Sequence, residues 1–105
     1  MLGMRFETIP AKALDHLVYD QNAFIIDLRN EKEFKEAHIK GAINIPYGSS
    51  KDYLELPKNM VLVLYCERGS KSMMLARELS NSGYRIKSVI GGIHAYRGNY
   101  LEYYS

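Results

Sequence analysis

The sequence predicts an α/β fold in which a five-stranded parallel sheet carries helices on both faces. Apolar runs within Phe24–Leu28 and Val61–Tyr65 lack the alternation of half-exposed strands, which indicates strands buried on both faces. Segments with apolar residues at helical spacing lie between the predicted strands. Strands that alternate with helices form parallel sheets through right-handed crossovers, so both observations favour the same architecture.

The composition is that of an ordinary globular protein. The chain has 105 residues, of which 47% are hydrophobic and 25% charged, so we expect residues 1–105 to form a single domain. The net charge is +2, and acidic and basic residues are interspersed without a basic stripe carrying aromatic residues. We therefore expect no nucleic-acid partner.

The cysteine and histidine content argues against disulfides and metal sites. The single cysteine excludes an intramolecular disulfide framework and a cysteine-based metal site, and His16 and His94 have no companions at ligand spacing. The first residues do not show the basic segment and apolar run of a signal peptide, so we expect none, and no apolar stretch approaches the ~18 residues of a membrane span. We expect a cytoplasmic protein without metal, cofactor or membrane partner.

The first half of the chain predicts two strands and two helices. Weak alternation over Met4–Ile9 indicates an edge strand, and Pro10 suits the first position of a helix through Ala11–Val18. After the buried strand that begins at Phe24, Asn30 is placed to cap a charged helix over Glu31–Glu36. Acidic residues in the first turn of that helix agree with the helix dipole.

The middle of the chain predicts a short strand and a long loop. Gly41 suits a turn, and Ala42–Ile45 suits a third strand. Residues 47–60 are predicted as a loop with at most one helical turn around Tyr53 and Leu54. The fourth strand is the apolar run that ends at residue 65.

The last third predicts two helices and a strand. Apolar residues at helical spacing indicate a helix over Lys71–Asn81, and Gly83 supplies its stop. Arg85–Ile90 is predicted as the fifth strand. Gly91–Gly92 is then expected to open a last helix that continues towards Tyr100.

The only cysteine follows a predicted buried strand and precedes a short basic loop. Ligands of parallel sheets bind beyond the carboxyl ends of the strands, where Cys66 lies, and Asp27, Arg29 and Gly91–Gly92 end two other strands near the same mouth. A tight loop before a helix directs N–H groups and positive charge inward. We expect this setting, with Arg68 nearby, to stabilise a nucleophilic thiolate.

With these residues in view, the sequence resembles the rhodanese-like single-domain sulfurtransferases over essentially its whole length. Four blocks carry the resemblance in the family's order, namely Asp27–Arg29, Glu33–Phe34 with Ala37–Pro46, Cys66–Ser72 and Gly91–Tyr96. The resemblance implies a five-stranded parallel sheet flanked by helices and a cysteine that carries sulfur as a persulfide.

The resemblance also assigns roles to single residues. Cys66 matches the catalytic, sulfur-accepting cysteine, and the following loop matches the one whose amides surround the transferred sulfur: Glu67, Arg68, Gly69, Ser70 and Lys71. Lys71 stands where many members have arginine, and it keeps the charge without the planar fork. Glu67 places a negative charge beside the nucleophile and is expected to weaken thiosulfate binding. Tyr96 stands where the family often has tryptophan.

The implied reaction moves a sulfane sulfur from a small-molecule donor such as thiosulfate to a thiophilic acceptor. Cyanide serves as the acceptor in vitro, and thiols or a sulfur-relay protein serve in the cell. A binding or regulatory module with the same fold, which docks a partner protein with little turnover, is the alternative. A cysteine phosphatase needs a loop one residue longer that ends in arginine, and Ser72 occupies that position here.

Other polar and aromatic residues are expected to be structural. Arg29 and Glu33 are four residues apart and are predicted to form an ion pair. His38 is expected in a structural turn. Asp27 is equally compatible with a hydrogen-bond acceptor at a strand end and with a catalytic role. The tyrosines near the carboxyl terminus are interpreted as a packing device for the tail.

Overall fold

The computed structural model describes residues 6–48, 53 and 55–104. Within these residues the strands are, in chain order, β1 (Phe6–Ile9), β2 (Ala23–Asp27), β3 (His38–Ile39), β4 (Ile43–Asn44), β5 (Val61–Tyr65), β6 (Arg85–Val89) and β7 (Leu101–Glu102). The α-helices that the argument uses are α1 (Leu14–Leu17), α2 (Glu31–Glu36) and α3 (Ser70–Ser80). Short 3₁₀ turns cover Ala11–Ala13 and Ile93–Ala95.

The main sheet has five parallel strands in the order β1, β6, β5, β2, β4. This confirms the predicted five-stranded parallel sheet, and β1 lies at an edge as predicted. The register pairs Asp27 with Tyr65 and Leu64 with Ser88, so β2, β5 and β6 end at about the same level. The residues that follow these three strands therefore meet at one edge of the sheet.

Strand β5 is buried on both faces, which explains its continuous apolar sequence. Leu62 and Leu64 belong to one hydrophobic cluster, and Val63 and Tyr65 belong to the other. All four are 0% exposed. Alternate side chains of a strand point to opposite faces, so a strand covered on both sides needs apolar residues at every position.

Helices cover both faces of the sheet, as predicted. Helix α3 packs Leu75 and Leu79 into the cluster that contains Leu62. On the other face, Leu14 of α1 and Phe34 of α2 join the second cluster. Helix α3 begins and ends one residue earlier than predicted, and Gly83, at φ +90°, lies three residues after its end.

The predicted first helix is interrupted. Residues Ala11–Ala13 form a 3₁₀ turn before α1, and Pro10 is extended, with φ −71° and ψ 154°, so it precedes the helical residues rather than being the first of them. Proline lacks a backbone N–H and therefore fits this entry position. Met4 of the predicted first strand lies outside the described residues.

Helix α2 has the predicted boundaries and cap. The Asn30 side chain accepts a hydrogen bond of 2.8 Å from the backbone N–H of Glu33. The next predicted strand, Ala42–Ile45, is confirmed in shortened form as β4. In the predicted loop over residues 47–60, Tyr53 is helical, whereas Leu54 lies outside the described residues.

The carboxyl-terminal segment differs from the prediction. Only Ile93–Ala95 forms a 3₁₀ turn, and Tyr96 is extended, with φ −77° and ψ 132°. The chain then forms β7, which pairs antiparallel with β3. The predicted last helix towards Tyr100 is therefore wrong. The Tyr96 hydroxyl accepts the Tyr100 N–H at 3.0 Å, and this contact stabilises the extended path.

Across residues 6–48, 53 and 55–104, no helix combines the length and the hydrophobicity needed to cross a membrane. In that same part of the chain, no group of three or more histidine, cysteine, aspartate or glutamate side chains is arranged to hold a metal ion.

Candidate functional site

Cys66 lies at the carboxyl end of the sheet, directly after β5. The residue is 3% exposed, and it lines a cavity of about 240 Å³ at that end. The other lining residues come from the segment after β2, from α2, from the cysteine loop and from the first turn of α3: Leu28, Arg29, Glu33, Glu67, Arg68, Ser70 and Lys71. The cavity therefore gathers Cys66 with four of the five predicted loop residues.

The loop between β5 and α3 wraps around the sulfur. The Gly69 N–H donates a hydrogen bond of 3.1 Å to Cys66 Sγ. Helix α3 begins at Ser70, so its first N–H groups, which have no acceptor within the helix, face the same end of the molecule. Backbone donors and a helix N-terminus stabilise negative charge, so the arrangement suits a thiolate or a persulfide anion.

Gly69 is required by both its conformation and its surroundings. Its φ of +104° lies in the left-handed region, and a Cβ atom at this position would stand 3.1 Å from the Gly91 nitrogen. A larger residue would therefore push the loop away from the segment that follows β6. Gly69 is itself buried and is the one predicted loop residue that does not line the cavity.

The segment after β6 holds the cysteine loop from the other side. The N–H of Ile93 donates to the Cys66 carbonyl at 3.0 Å, and the N–H of His94 donates to the Glu67 carbonyl at 3.0 Å. Gly91 and Gly92, expected near the same mouth, lie beside the backbone of the cysteine loop but are not among the residues that line the cavity. These bonds satisfy the carbonyls of Cys66 and Glu67 and fix the start of the loop whose Gly69 N–H contacts the sulfur.

Two serines tie the first turn of α3 to the sheet. Ser72 Oγ donates to the Gly69 carbonyl at 3.1 Å and shares a hydrogen bond of 2.8 Å with Ser88 Oγ. Both serines are at most 1% exposed. Ser72 therefore fastens the loop from within the protein and does not reach the cavity.

Arg29 stands at the inner wall of the cavity between two carboxylates. Its Nε and Nη2 atoms donate to Asp27 at 2.9 to 3.2 Å, and Nη2 also donates to the Ala37 carbonyl. Its Nη1 atom lies 3.5 Å from Glu67 Oε1. Burial alone would lower the pKa of Arg29, but the hydrogen bonds and charge of Asp27 outweigh burial and raise it.

The predicted Arg29–Glu33 ion pair is wrong, because Arg29 pairs with Asp27 and Glu67 instead. Arg29 precedes the Asn30 cap and so lies outside α2, where the four-residue spacing rule does not apply. Asp27 is 0% exposed and acts as the acceptor that positions Arg29.

His38 lies away from the cysteine, in β3. Its Nδ1 atom is 2.8 Å from the Phe34 carbonyl, and its ring stacks on the Phe34 ring with centroids 3.9 Å apart. Its Nε2 atom lies 3.7 Å from a Glu102 carboxylate oxygen in the paired strand β7. These contacts give His38 a packing role.

The remaining predicted site residues lie at the rim of the cavity. Arg68, Ser70 and Lys71 are exposed, and the Glu67 side chain is 46% exposed. Sequence reasoning missed Glu33 as a lining residue, although its place in the first turn of a helix that follows a strand end was a usable signal.

Comparison with known proteins agrees with this geometry. Residues 10–99 match the model of the rhodanese-like domain family. The chain is 40% identical over 76 residues to a tRNA sulfurtransferase of Desulfurococcus amylolyticus, of which it spans 15%. It is 30% identical over 97 residues to the putative sulfurtransferase YtwF of Bacillus subtilis, covering 90% of this chain and 94% of that protein. The chain spans less than half the length of several relatives that it matches.

Solved structures give the same assignment. The crystal structure of a rhodanese-like domain protein from Staphylococcus aureus superposes with a TM-score of 0.82 at 28% identity, covering 94% of this chain and 99% of that chain. The sheet order, the cysteine after the central strand and the match over residues 10–99 agree with one another. The chain therefore belongs to the rhodanese-like family of sulfurtransferases.

Proposed function

We propose that this protein is a thiosulfate-type sulfurtransferase that transfers a sulfane sulfur through a persulfide on Cys66. The observation that carries the proposal is the hydrogen bond of 3.1 Å from the Gly69 N–H to Cys66 Sγ, within a loop that ends at a helix N-terminus. A sulfur so placed is stabilised as an anion, and the anion is the nucleophilic form of cysteine.

In the first step, the Cys66 thiolate attacks the outer sulfur of thiosulfate. A new S–S bond forms at Cys66, the S–S bond of thiosulfate breaks, and its electron pair leaves with sulfite. In the second step, an acceptor such as cyanide or a thiolate attacks the outer sulfur of the persulfide. The electron pair of the S–S bond returns to Cys66, so the cycle needs no oxidant and follows ping-pong kinetics.

The loop residues support both steps in different ways. The Gly69 amide and the first amides of α3 stabilise the thiolate and the persulfide anion, because preorganised donors are effective where water is scarce. Arg68 and Lys71, exposed at the rim, attract an anionic donor towards the cavity. Glu67 and Ser70 complete the lining around the sulfur.

The physiological acceptor is proposed to be a thiol or a sulfur-relay protein. This part of the proposal rests on the relatives, which include a tRNA sulfurtransferase and a putative sulfur carrier protein of Bacillus subtilis, YrkF, at 32% identity over 81 residues. The Cys66 persulfide is then an intermediate that passes its sulfur to a second nucleophile.

Phosphate chemistry fits this loop less well. The position at which a cysteine phosphatase carries its phosphate-gripping arginine is occupied by Ser72, which is 0% exposed and hydrogen-bonded to Gly69 and Ser88. This residue provides no cation for a phosphate group.

Mass spectrometry tests the proposal. After treatment with thiosulfate, the wild type should gain the mass of one sulfur on Cys66, and cyanide should remove it. Cys66→Ser should gain no sulfur and show no turnover, whereas Ser80→Ala, on the last turn of α3, should behave as the wild type. Turnover that survives in Cys66→Ser would refute the proposal.

A further inference from the structure

The cavity around Cys66 carries opposite charges on different elements. The basic residues Arg68 and Lys71 lie on the loop and in the first turn of α3. The acidic residues are Glu33, on α2, and Glu67, in the cysteine loop. The Glu67 carboxylate points towards β2 and α2, where its Oε1 atom lies 3.5 Å from Arg29 Nη1. A ligand in the cavity therefore meets acids towards α2 and bases towards α3.

Arg29 contributes little attraction for an anionic ligand, although it lines the cavity. Its Nε and Nη2 atoms are bonded to Asp27 and to the Ala37 carbonyl, and Nη1 faces Glu67. Two carboxylates thus oppose its single positive charge. By contrast, neither Arg68 nor Lys71 forms an ion pair with any residue of the described part of the chain.

The charges of the site balance. Three basic and two acidic side chains line the cavity, and Asp27, which is 0% exposed and bonded to Arg29, supplies a third negative charge behind the wall. A dianion such as thiosulfate is attracted by Arg68 and Lys71 but repelled by Glu67 beside the sulfur, so the balanced set leaves its net attraction small. A ligand with one positive and one negative group would satisfy both sides.

The size of the cavity limits the ligand further. At about 240 Å³ the cavity lies below the roughly 300 to 1,000 Å³ of pockets that hold drug-sized ligands, so a donor with few heavy atoms suits it.

We propose that the preferred sulfur donor of this protein is a small zwitterionic persulfide, an amino acid whose side chain ends in a persulfide. Its ammonium group lies towards Glu67 and Glu33, and its carboxylate lies towards Arg68 and Lys71. This inference rests on the proposed function, because it names the donor class for the same sulfur transfer.

The transfer balances without a further reagent. The Cys66 thiolate attacks the outer sulfur of the donor persulfide, and the S–S bond of the donor breaks. Its electron pair leaves with the inner sulfur as the amino-acid thiolate, which takes a proton from water. Cys66 is left as the persulfide.

Two donors that differ only in the ammonium group test the inference. Cysteine persulfide carries the ammonium, and 3-mercaptopropionate persulfide lacks it. In the wild type, we expect kcat/KM for cysteine persulfide to exceed that for 3-mercaptopropionate persulfide by about fivefold. A ratio of this size is the most that one partly exposed ion pair usually contributes to binding. In Glu67→Gln, this preference should fall towards unity, and kcat/KM for thiosulfate should rise by about fivefold.

Further variants locate the effect and separate it from the proposed function. Glu33→Gln should reduce the preference as well, whereas Glu36→Gln, exposed on α2 outside the cavity, should leave every value unchanged. Equal kcat/KM values for the two persulfides in the wild type would overturn the inference while leaving the Cys66 reaction intact. Absence of Cys66-dependent transfer from every donor would instead refute the proposed function.

Discussion

Gly92 lies so close to Cys66 that a Cβ atom on Gly92 would stand 2.3 Å from the Cys66 carbonyl oxygen. Gly92 also has φ +60° and ψ −157°, a conformation that is essentially restricted to glycine. We therefore expect Gly92→Ala to displace the cysteine loop, to lower the free energy of unfolding by about 3 kcal/mol and to slow persulfide formation at least tenfold. Urea unfolding and mass spectrometry after thiosulfate treatment measure the two effects.

Gly83→Ala is the matched control for Gly92→Ala. Gly83 also has a positive φ, +90°, but a Cβ atom there would meet nothing within 4 Å. This variant should lose only about 1 kcal/mol from backbone strain, and it should form the persulfide at the wild-type rate. If Gly83→Ala slowed persulfide formation as much as Gly92→Ala, close approach to Cys66 would not be the cause.

The hydrogen bond between Ser72 and Ser88 should support the loop as well as the fold. Ser72→Ala removes both the 2.8 Å bond to Ser88 and the 3.1 Å bond to the Gly69 carbonyl, so we expect a loss of about 2 kcal/mol in unfolding free energy. Persulfide formation should slow severalfold, because Gly69 carries the amide that contacts the sulfur.

Ser80→Ala provides the comparison for this loss. Ser80 Oγ also donates to a backbone carbonyl within α3, that of Arg77 at 3.1 Å, but at the far end of the helix. This variant should lose some stability, about 1 kcal/mol, without any change in the rate of persulfide formation. A wild-type rate in Ser72→Ala would show that the loop needs no such anchor.

The pair formed by Asp27 and Arg29 should be important for stability. Both side chains are at most 8% exposed, and replacing one partner leaves the other charge buried. We expect Asp27→Asn to lower the unfolding free energy by about 3 kcal/mol. Glu31→Gln, which removes the exposed pair with Lys35 at 3.0 Å, should cost less than about 0.5 kcal/mol. Equal losses in urea unfolding would contradict this ranking.

The strands of the main sheet could be predicted from the sequence because burial on both faces leaves a direct signal. Val61–Tyr65 is apolar at every position, and the structure buries alternate residues in two separate clusters. Cys66 could be placed at the end of this strand for the same reason. The position of the candidate nucleophile therefore followed from the local sequence alone.

The paired strands β3 and β7 could not be predicted. Each has two residues, too few to show periodicity, and they are separated by more than 60 positions in the chain. Their pairing depends on the docking of the carboxyl-terminal segment. Likewise, the contact between Arg29 and Glu67 joins the ends of two strands, so it emerges only when the sheet order is known.

Tyr96 should make the stability of the protein depend on pH in the alkaline range. Its hydroxyl donates to Asp15 at 2.7 Å, and the residue is 5% exposed. Burial, with a further contribution from the hydrogen bond to Asp15, raises the pKa of Tyr96 to about 12. In the unfolded chain the pKa of tyrosine is about 10, so the unfolded state releases this proton first as the pH rises.

The unfolding free energy should therefore decline as the pH rises from about 10 to about 12, because the unfolded state binds fewer protons over that range. Urea unfolding at a series of pH values measures this slope. Tyr96→Phe should make it shallower but not flat, since burial also raises the pKa of Tyr65. Tyr103→Phe, at a side chain 67% exposed, should leave the slope unchanged. If wild type and Tyr96→Phe showed the same slope, Tyr96 would have the same pKa in the folded and unfolded states. Burial and the contact with Asp15 would then not raise it.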